Sequence, residues 1–265
     1  MNSTLIIHGA AGRMGRRLLA CAVEEKVFEI VGAVDHPDCP LLGQDAGQIA
    51  GCETLNVPIT GELSSKADVV IDFSLPQAAG GVVDFCEKTK SALVMGTTGL
   101  DDSHIARLKQ ASKVIPIVQA TNMSLGMNLL FSLVGKVAKS LGDEYDIEII
   151  EAHHRFKKDA PSGSAMSLAQ SICDETDRDF SKDLVHGREG KEALREKGTI
   201  GMHALRGGDI IGKHSVMYST IGETITLSHE AHSRDTFVPG AMRAARWIVN
   251  QPPGLYSMKD VLGLE

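Results

Sequence analysis

The chain predicts an α/β protein in which a Rossmann-type, doubly wound parallel sheet is followed by a second α+β domain built on an open mixed sheet. Three observations predict it. Short apolar runs alternate with helix-like runs up to about residue 118, as a parallel sheet with crossover helices requires. The first strand-to-helix turn carries Gly9, Gly12 and Gly15. Beyond a long apolar helix pattern at residues 123–141, strands come in closer succession.

Leu5-Ile-Ile7 reads as a strand and residues 16–23 as the helix after it. Glycines in that turn permit a tight bend and the close approach of backbone to a pyrophosphate, although the spacing, GxxGxxG, is one residue off the commonest dinucleotide fingerprint. Residues 28–34 form a second strand ending at Asp35, where a carboxylate can accept both ribose hydroxyls of an adenosine. Asp35 is followed by His36 and not by Arg, which points to a mild preference for NADH over NADPH; His36, Arg13 and Arg16 remain able to meet a 2′-phosphate. Residues 37–60 read as a loop region with short elements. Strands are then expected at 68–73, 92–95 and 114–118, with helices at 77–88 and 101–112. Open parallel sheets bind ligands at the carboxyl ends of their strands. Gly9 to Gly15, Asp35, Ser74, Gly96 to Thr98 and Ala120 to Met123 all fall on that edge.

In the second half, residues 145–150 form a strand-like run, and the helix pattern at 123–141 leads into it with a Met-rich face read as core. Then comes Glu151-Ala-His-His-Arg-Phe-Lys-Lys-Asp-Ala-Pro-Ser-Gly-Ser164, with two His, one Arg and two Lys within six residues, opening into a helix. Backbone N–H groups at a helix N-terminus favour negative charge, and Ser162 and Ser164 can add hydroxyls, so the stretch reads as an anion site beside acid–base groups. A small carboxylate-bearing molecule is the guest that fits. Imidazoles and ammonium groups held together oppose one another's protonation, which should bring their pKa values towards neutrality.

Residues 174–197 are strongly charged and are expected to be an exposed, irregular or helical excursion with His186 and Arg188 solvated. Residues 199–206, 209–218 and 223–232 read as successive strands joined by Gly207-Gly208 and Ile221-Gly222 turns, an open sheet whose exposed face associates with other subunits. His203, His214, His229 and His232 take strand positions expected at the surface or an interface, and no metal site is expected. Residues 234–240 read as a turn, 241–249 as a helix returning to the first domain, and 252–263 as a capping tail. The expected domains are 1–124 with 235–265, binding dinucleotide, and 125–234, binding substrate and forming the oligomer.

Composition bounds the function classes. With 265 residues, 43% hydrophobic and 23% charged, the chain has ordinary globular composition. Its formal net charge of -7 argues against a nucleic-acid partner and makes the basic cluster at 153–158 a local exception. Five cysteines show neither disulfide-framework nor zinc spacing, and residues 1–7 carry no basic, apolar leader pattern, so a cytoplasmic location away from membranes is expected.

Gly9-Ala-Ala-Gly-Arg-Met-Gly15, Gly96-Thr-Thr-Gly99, the 151–157 and 159–164 segments, and Arg206-Gly-Gly-Asp-Ile-Ile-Gly-Lys-His214 together resemble the 4-hydroxy-tetrahydrodipicolinate reductase family of the diaminopimelate and lysine pathway. The resemblance implies an NAD(P)H-dependent reduction of a cyclic dicarboxylate with loss of water. It implies His153 as proton donor or acceptor and Lys157 as second proton donor, with His154, Gly163 and Ser164 holding carboxylates beside Ser162. Cofactor contacts implied are Gly9, Ala10, Ala11, Gly12, Arg13, Met14, Asp35, Gly96, Thr97, Thr98, Ala120, Thr121, Asn122 and Met123. A homotetramer built through the second domain's sheets is implied as well. Phe156 and Ser164 depart from the residues many members carry there; Ser keeps the hydroxyl, and Phe156 is given no chemical role. Two other readings compete: a dehydrogenase acting on an aspartate-derived aldehyde, which lacks a plausibly placed Cys nucleophile, and a nucleotide-sensing regulator, which would not need the 153–157 cluster.

Overall fold

The alternation of short apolar runs and amphipathic runs resolves into strands buried on both faces with helices laid over them. The computed structural model describes residues 2–264; residues 1 and 265, at the ends of the expected first domain, lie outside the described residues. Two compact units divide the chain, one reaching to Leu125 and including Asp235–Leu264, the other Gly126–Arg234.

In the first unit the order is β1 (Ser3–His8), α1 (Arg13–Glu25), β2 (Phe28–Val34), α2 (Ala46–Ile49), β3 (Ile59–Thr60), β4 (Val69–Asp72), α3 (Pro76–Thr89), β5 (Ala92–Met95), α4 (Asp102–Ala111) and β6 (Pro116–Gln119). The period-2 geometry of a strand sends alternate side chains to opposite faces. Leu5, Ile7, Val69, Ile71 and Val94 accordingly join one core with Leu18 and Leu19 of α1, while Ile6, Val70, Leu93 and Met95 join another with Val82 and Val83 of α3 and Leu108 of α4. Burial of each large aliphatic side chain contributes roughly 1.5–3 kcal/mol. This two-sided burial makes the strands read as continuous apolar runs.

The second unit takes most of α5 (Leu125–Leu141), then β7 (Asp146–His153), α6 (Gly163–Cys173), β8 (Leu184–His186), β9 (Ile200–Arg206), β10 (Gly212–Thr220) and β11 (Glu223–Ala231). The chain returns to the first unit through α7 (Phe237–Ile248), β12 (Gly254–Tyr256) and α8 (Met258–Leu262). The first sheet is wholly parallel, in the order β12-β6-β5-β4-β1-β2-β3. The second is mixed and open, in the order β11-β10-β7-β9-β8. Ile147, Ile149, Met202, Val216 and Tyr218 pack one of its faces against Leu130 and Val134 of α5 and Leu168 and Ile172 of α6. Tyr218 anchors that packing by donating its hydroxyl to the Val134 carbonyl at 2.6 Å.

Five local expectations are corrected. β7 does not stop at Ile150: Glu151 and His153 continue the inward alternation of Ile147 and Ile149, and their hydrogen bonding inside the unit makes that burial tolerable. The Gly207-Gly208 turn does not make a hairpin, because β9 and β10 lie on opposite sides of β7. The chain crosses the end of β7 there, with the Gly207 N–H donating to the His153 carbonyl. Residues 174–197 hold β8 and irregular chain, and Arg188 is not solvated: it grips Glu148 with two hydrogen bonds of 3.0 and 2.8 Å. The helix expected at 241 begins at Phe237, since Pro239 sits in its first turn, where a missing N–H is tolerated. The closing segment is more than a cap, for β12 adds an edge strand beside β6.

Candidate active site

On the first unit the carboxyl ends of β1, β2, β4, β5 and β6 carry the segments singled out in the sequence. Gly9 has φ +82°, and a Cβ there would collide with the Phe73 carbonyl; one at Gly15 would collide with the Gly9 carbonyl. Both glycines are therefore demanded by close backbone approach. Gly12 is the N-cap of α1 and supplies no side-chain cap, so the first-turn N–H groups of this helix are left open to an anionic guest. Asp35 lies at the end of β2; its carboxylate accepts the Ala11 N–H at 2.8 Å and the His36 N–H at 2.8 Å. Asp35 thus braces the glycine turn while keeping lone pairs for further donors. An uncapped helix start, a backbone turn that lacks Cβ atoms at Gly9, Gly12 and Gly15 and a half-buried carboxylate beside it fit a dinucleotide.

Thr97 sits deeper than the others. Its hydroxyl donates to Asp72 at 2.6 Å and accepts the Ser74 N–H at 2.9 Å, leaving its backbone, with Gly96 and exposed Thr98, to line the edge. Asp72 is fully buried and also meets His8 Nδ1 at 2.6 Å. Ala120, Thr121, Asn122 and Met123 follow β6, with Thr121 exposed and Met123 in the core.

The second unit carries the cluster at 151–164. Glu151 is 1% exposed. Arg206 on β9 grips its two oxygens at 2.8 Å each, the Ser162 N–H donates at 2.9 Å, and His153 Nδ1 stands 2.6 Å from Oε2. Burial acts to raise the Glu151 pKa, but these donors outweigh it and hold it below the usual carboxylate range. Burial lowers the His153 pKa, with Lys157 and Arg206 adding to the effect and Glu151 opposing it. His153 also meets His214 edge-on, with ring centroids 5.1 Å apart.

Ser162 caps α6 by accepting the Ala165 N–H at 3.2 Å, and its hydroxyl lies 3.0 Å from His214 Nε2. With both its N–H and its hydroxyl engaged, Ser162 shapes the helix start, and Gly163 and Ser164 stand at the more open end of that turn. Lys157 pairs with Asp159 at 2.9 Å. His154 is half-buried, and its Nε2 lies 3.5 Å from the guanidinium of Arg234.

Three residues here were quoted in the sequence motifs without a role: Glu151, Arg206 and His214. The signal for Glu151 is parity, since it shares the inward positions of β7 with Ile147, Ile149 and His153. His214 corrects an expectation of surface placement: it is 4% exposed, and burial first, then His153, lowers its pKa to about 4. Of the other strand histidines, His203 pairs with Glu148 at 2.6 Å, His229 lies opposite His214 on β11, and His232 is exposed. The cysteines are free, and burial pushes the Cys86 thiol up and the Cys21 thiol to about 11, far from an activated nucleophile.

Comparison with known proteins agrees over both units. The family profile described as "Dihydrodipicolinate reductase, N-terminus" matches residues 3–123, and its C-terminal counterpart matches 126–262. A 4-hydroxy-tetrahydrodipicolinate reductase of Alkalilimnicola ehrlichii is 48% identical over 100% of both chains, and one of Pseudomonas fluorescens is 46% identical over 98% of each. Among solved structures, a dipicolinate-bound dihydrodipicolinate reductase from Paenisporosarcina sp. TG-14 shares the fold with a TM-score of 0.77, at 24% identity over 97% of this chain and 98% of that one. With both halves of the chain matched in order and relatives of this identity aligned from end to end, the chain belongs to the dihydrodipicolinate reductase family.

Proposed function

We infer that this chain catalyses the pyridine-nucleotide-dependent reduction of 4-hydroxy-tetrahydrodipicolinate to tetrahydrodipicolinate, with loss of water, in diaminopimelate and lysine biosynthesis. The observation that carries the reading beyond family membership is the buried Glu151–His153 pair beside Lys157 and the start of α6, which brings proton-transfer groups next to anion-binding ones. A reduced nicotinamide supplies the hydride when bound. Gly9, Ala10, Ala11, Gly12, Arg13 and Met14 hold the pyrophosphate at the uncapped N-terminus of α1, and Asp35 takes the ribose. Gly96, Thr97, Thr98 and residues 120–123 complete that edge, mostly with backbone. Because Asp35 presents a carboxylate where NADPH carries a phosphate, NADH is the preferred cofactor.

His153 and Lys157 would exchange the protons that departure of the hydroxyl as water and completion of the reduced product require. Gly163 and Ser164 at the start of α6, with His154, hold the substrate carboxylates, while Ser162 keeps that helix start in shape. The face of the second sheet turned away from α5 and α6 presents half-buried Ile150, Ser215 and Met217 and exposed Thr226, and supports assembly as a homotetramer. No helix among the described residues is long and apolar enough to cross a membrane, in keeping with a cytoplasmic enzyme.

A coupled assay tests the reading. The substrate is formed enzymatically from pyruvate and aspartate semialdehyde, and loss of NADH or NADPH absorbance is followed. Substrate-dependent oxidation, faster with NADH, is expected. No oxidation with either cofactor, from folded protein that binds dinucleotide, would overturn it.

A further inference from the structure

Glu151 is surrounded by donors. Arg206 approaches both oxygens at 2.8 Å and the Ser162 N–H lies 2.9 Å from Oε1, an environment in which the carboxylate is ionised. An ionised carboxylate only accepts hydrogen bonds. The 2.6 Å contact to His153 Nδ1 therefore requires the proton on that nitrogen.

The other ring nitrogen faces a different setting. Nε2 of His153 points towards Gly212 on β10, where a Cβ would come within 3.2 Å of it, so the strand beside Nε2 presents backbone without a side chain. Around the ring stand Glu151 from β7, Arg206 from β9, His214 from β10 and Lys157 from the connecting loop, and Ser162 at the cap of α6 touches both Glu151 and His214. Among these, Glu151 is the one anion that touches the ring.

We propose that Glu151, held by Arg206, is the positioning residue for His153: it fixes the imidazole with Nδ1 protonated and leaves Nε2 as the nitrogen that exchanges the proton in the reaction. This deepens the proton-transfer role given to His153 above and rests on that reading for its consequence in turnover. The same carboxylate favours the imidazolium once Nε2 has taken a proton, working against the burial that disfavours it.

Two measurements test it. In ring-15N-histidine protein studied by NMR above the titration of His153, with His153→Gln used to assign the signal, Nδ1 should carry the proton and Nε2 should not. A His153 protonated at Nε2 under those conditions overturns the proposal. In Glu151→Gln, kcat should fall by at least about 10-fold with KM little changed, and the acid limb of the pH–rate profile should move to lower pH, because the imidazolium loses its anionic neighbour. A folded Glu151→Gln enzyme with wild-type kcat and an unmoved acid limb also overturns it. Should that variant fail to fold, the wild-type nitrogen spectrum decides alone. His153→Gln turning over at the wild-type rate would strike down the proton-transfer role of His153 itself, and the nitrogen spectrum, which needs no turnover, still judges the Glu151 assignment.

Discussion

Among the described residues two buried histidine–carboxylate contacts are of equal length, His8 Nδ1 to Asp72 and His153 Nδ1 to Glu151, each 2.6 Å. They differ in what else the carboxylate holds. Asp72 gives its second oxygen to the Thr97 hydroxyl, and Thr97 in turn receives the Ser74 N–H, so the ends of β1 and β4 and the turns after β4 and β5 are tied into one piece. Glu151 instead receives a guanidinium and a helix-cap N–H, and its histidine stands among Lys157, Arg206 and His214. One contact stiffens the carboxyl edge that we propose holds a dinucleotide. The other holds the histidine to which we give proton transfer. The distance between partners does not separate structure from chemistry; the surrounding charge does.

Breaking the chemical side should have the largest effect. Lys157→Ala is expected to lose about 10²–10⁴-fold in kcat with dinucleotide affinity unchanged, read by steady-state kinetics and NADH titration; near-normal turnover would remove Lys157 from the mechanism.

The second prediction concerns pH. His214 is buried and its pKa falls from an ordinary 6.5 to about 4, so between those values the unfolded chain binds a proton that the folded chain refuses. Stability therefore rises with pH across that window: it is fully present above about 6.5 and is lost as pH falls towards 4, to the extent of roughly 3 kcal/mol. Urea unfolding at several pH values should show the loss in the wild type and a shallower dependence in His214→Gln. An equal dependence in both would assign the acid sensitivity elsewhere.

Asp72→Ala sharpens the contrast from the architectural side. Leaving His8 and Thr97 without their shared acceptor should cost about 1–3 kcal/mol in unfolding free energy and weaken dinucleotide binding. The acid limb of the kcat profile should stay in place, and a shift like that expected for Glu151→Gln would mean that the two contacts are not distinct in kind. Smallest of all, Ser164→Ala removes one hydroxyl at the start of α6 and should raise KM about 5-fold, the equivalent of one hydrogen bond of about 1 kcal/mol, with kcat held. An unchanged KM would place the carboxylate elsewhere.

Much of this was legible in the residues. Two-sided apolar runs such as 69–72 and 92–95 announce buried parallel strands, and glycines between a strand and a helix announce a tight turn with close backbone approach. Ser162 before the apolar pattern of α6 announces a helix start. Other features were hidden because their causes are not local. Nothing near Gly207-Gly208 says that β7 will slot between β9 and β10, since hairpin and crossover use the same turn residues. Arg188 reads as a solvated charge until Glu148, forty positions away in the chain, is placed beside it.

The sequence by itself determined the alternation of strands and helices, the glycine turn at the carboxyl edge and the list of groups able to bind an anion and move a proton. Those properties follow from side-chain periodicity and from chemistry carried by each residue type. Only the tertiary structure decided that Glu151, Arg206, His214 and Ser162 converge on His153, and so which of its nitrogens faces a carboxylate and which faces bare backbone. Burial and charge act over a few ångströms in space, and residues 151, 162, 206 and 214 become neighbours only when β7, α6, β9 and β10 are packed together.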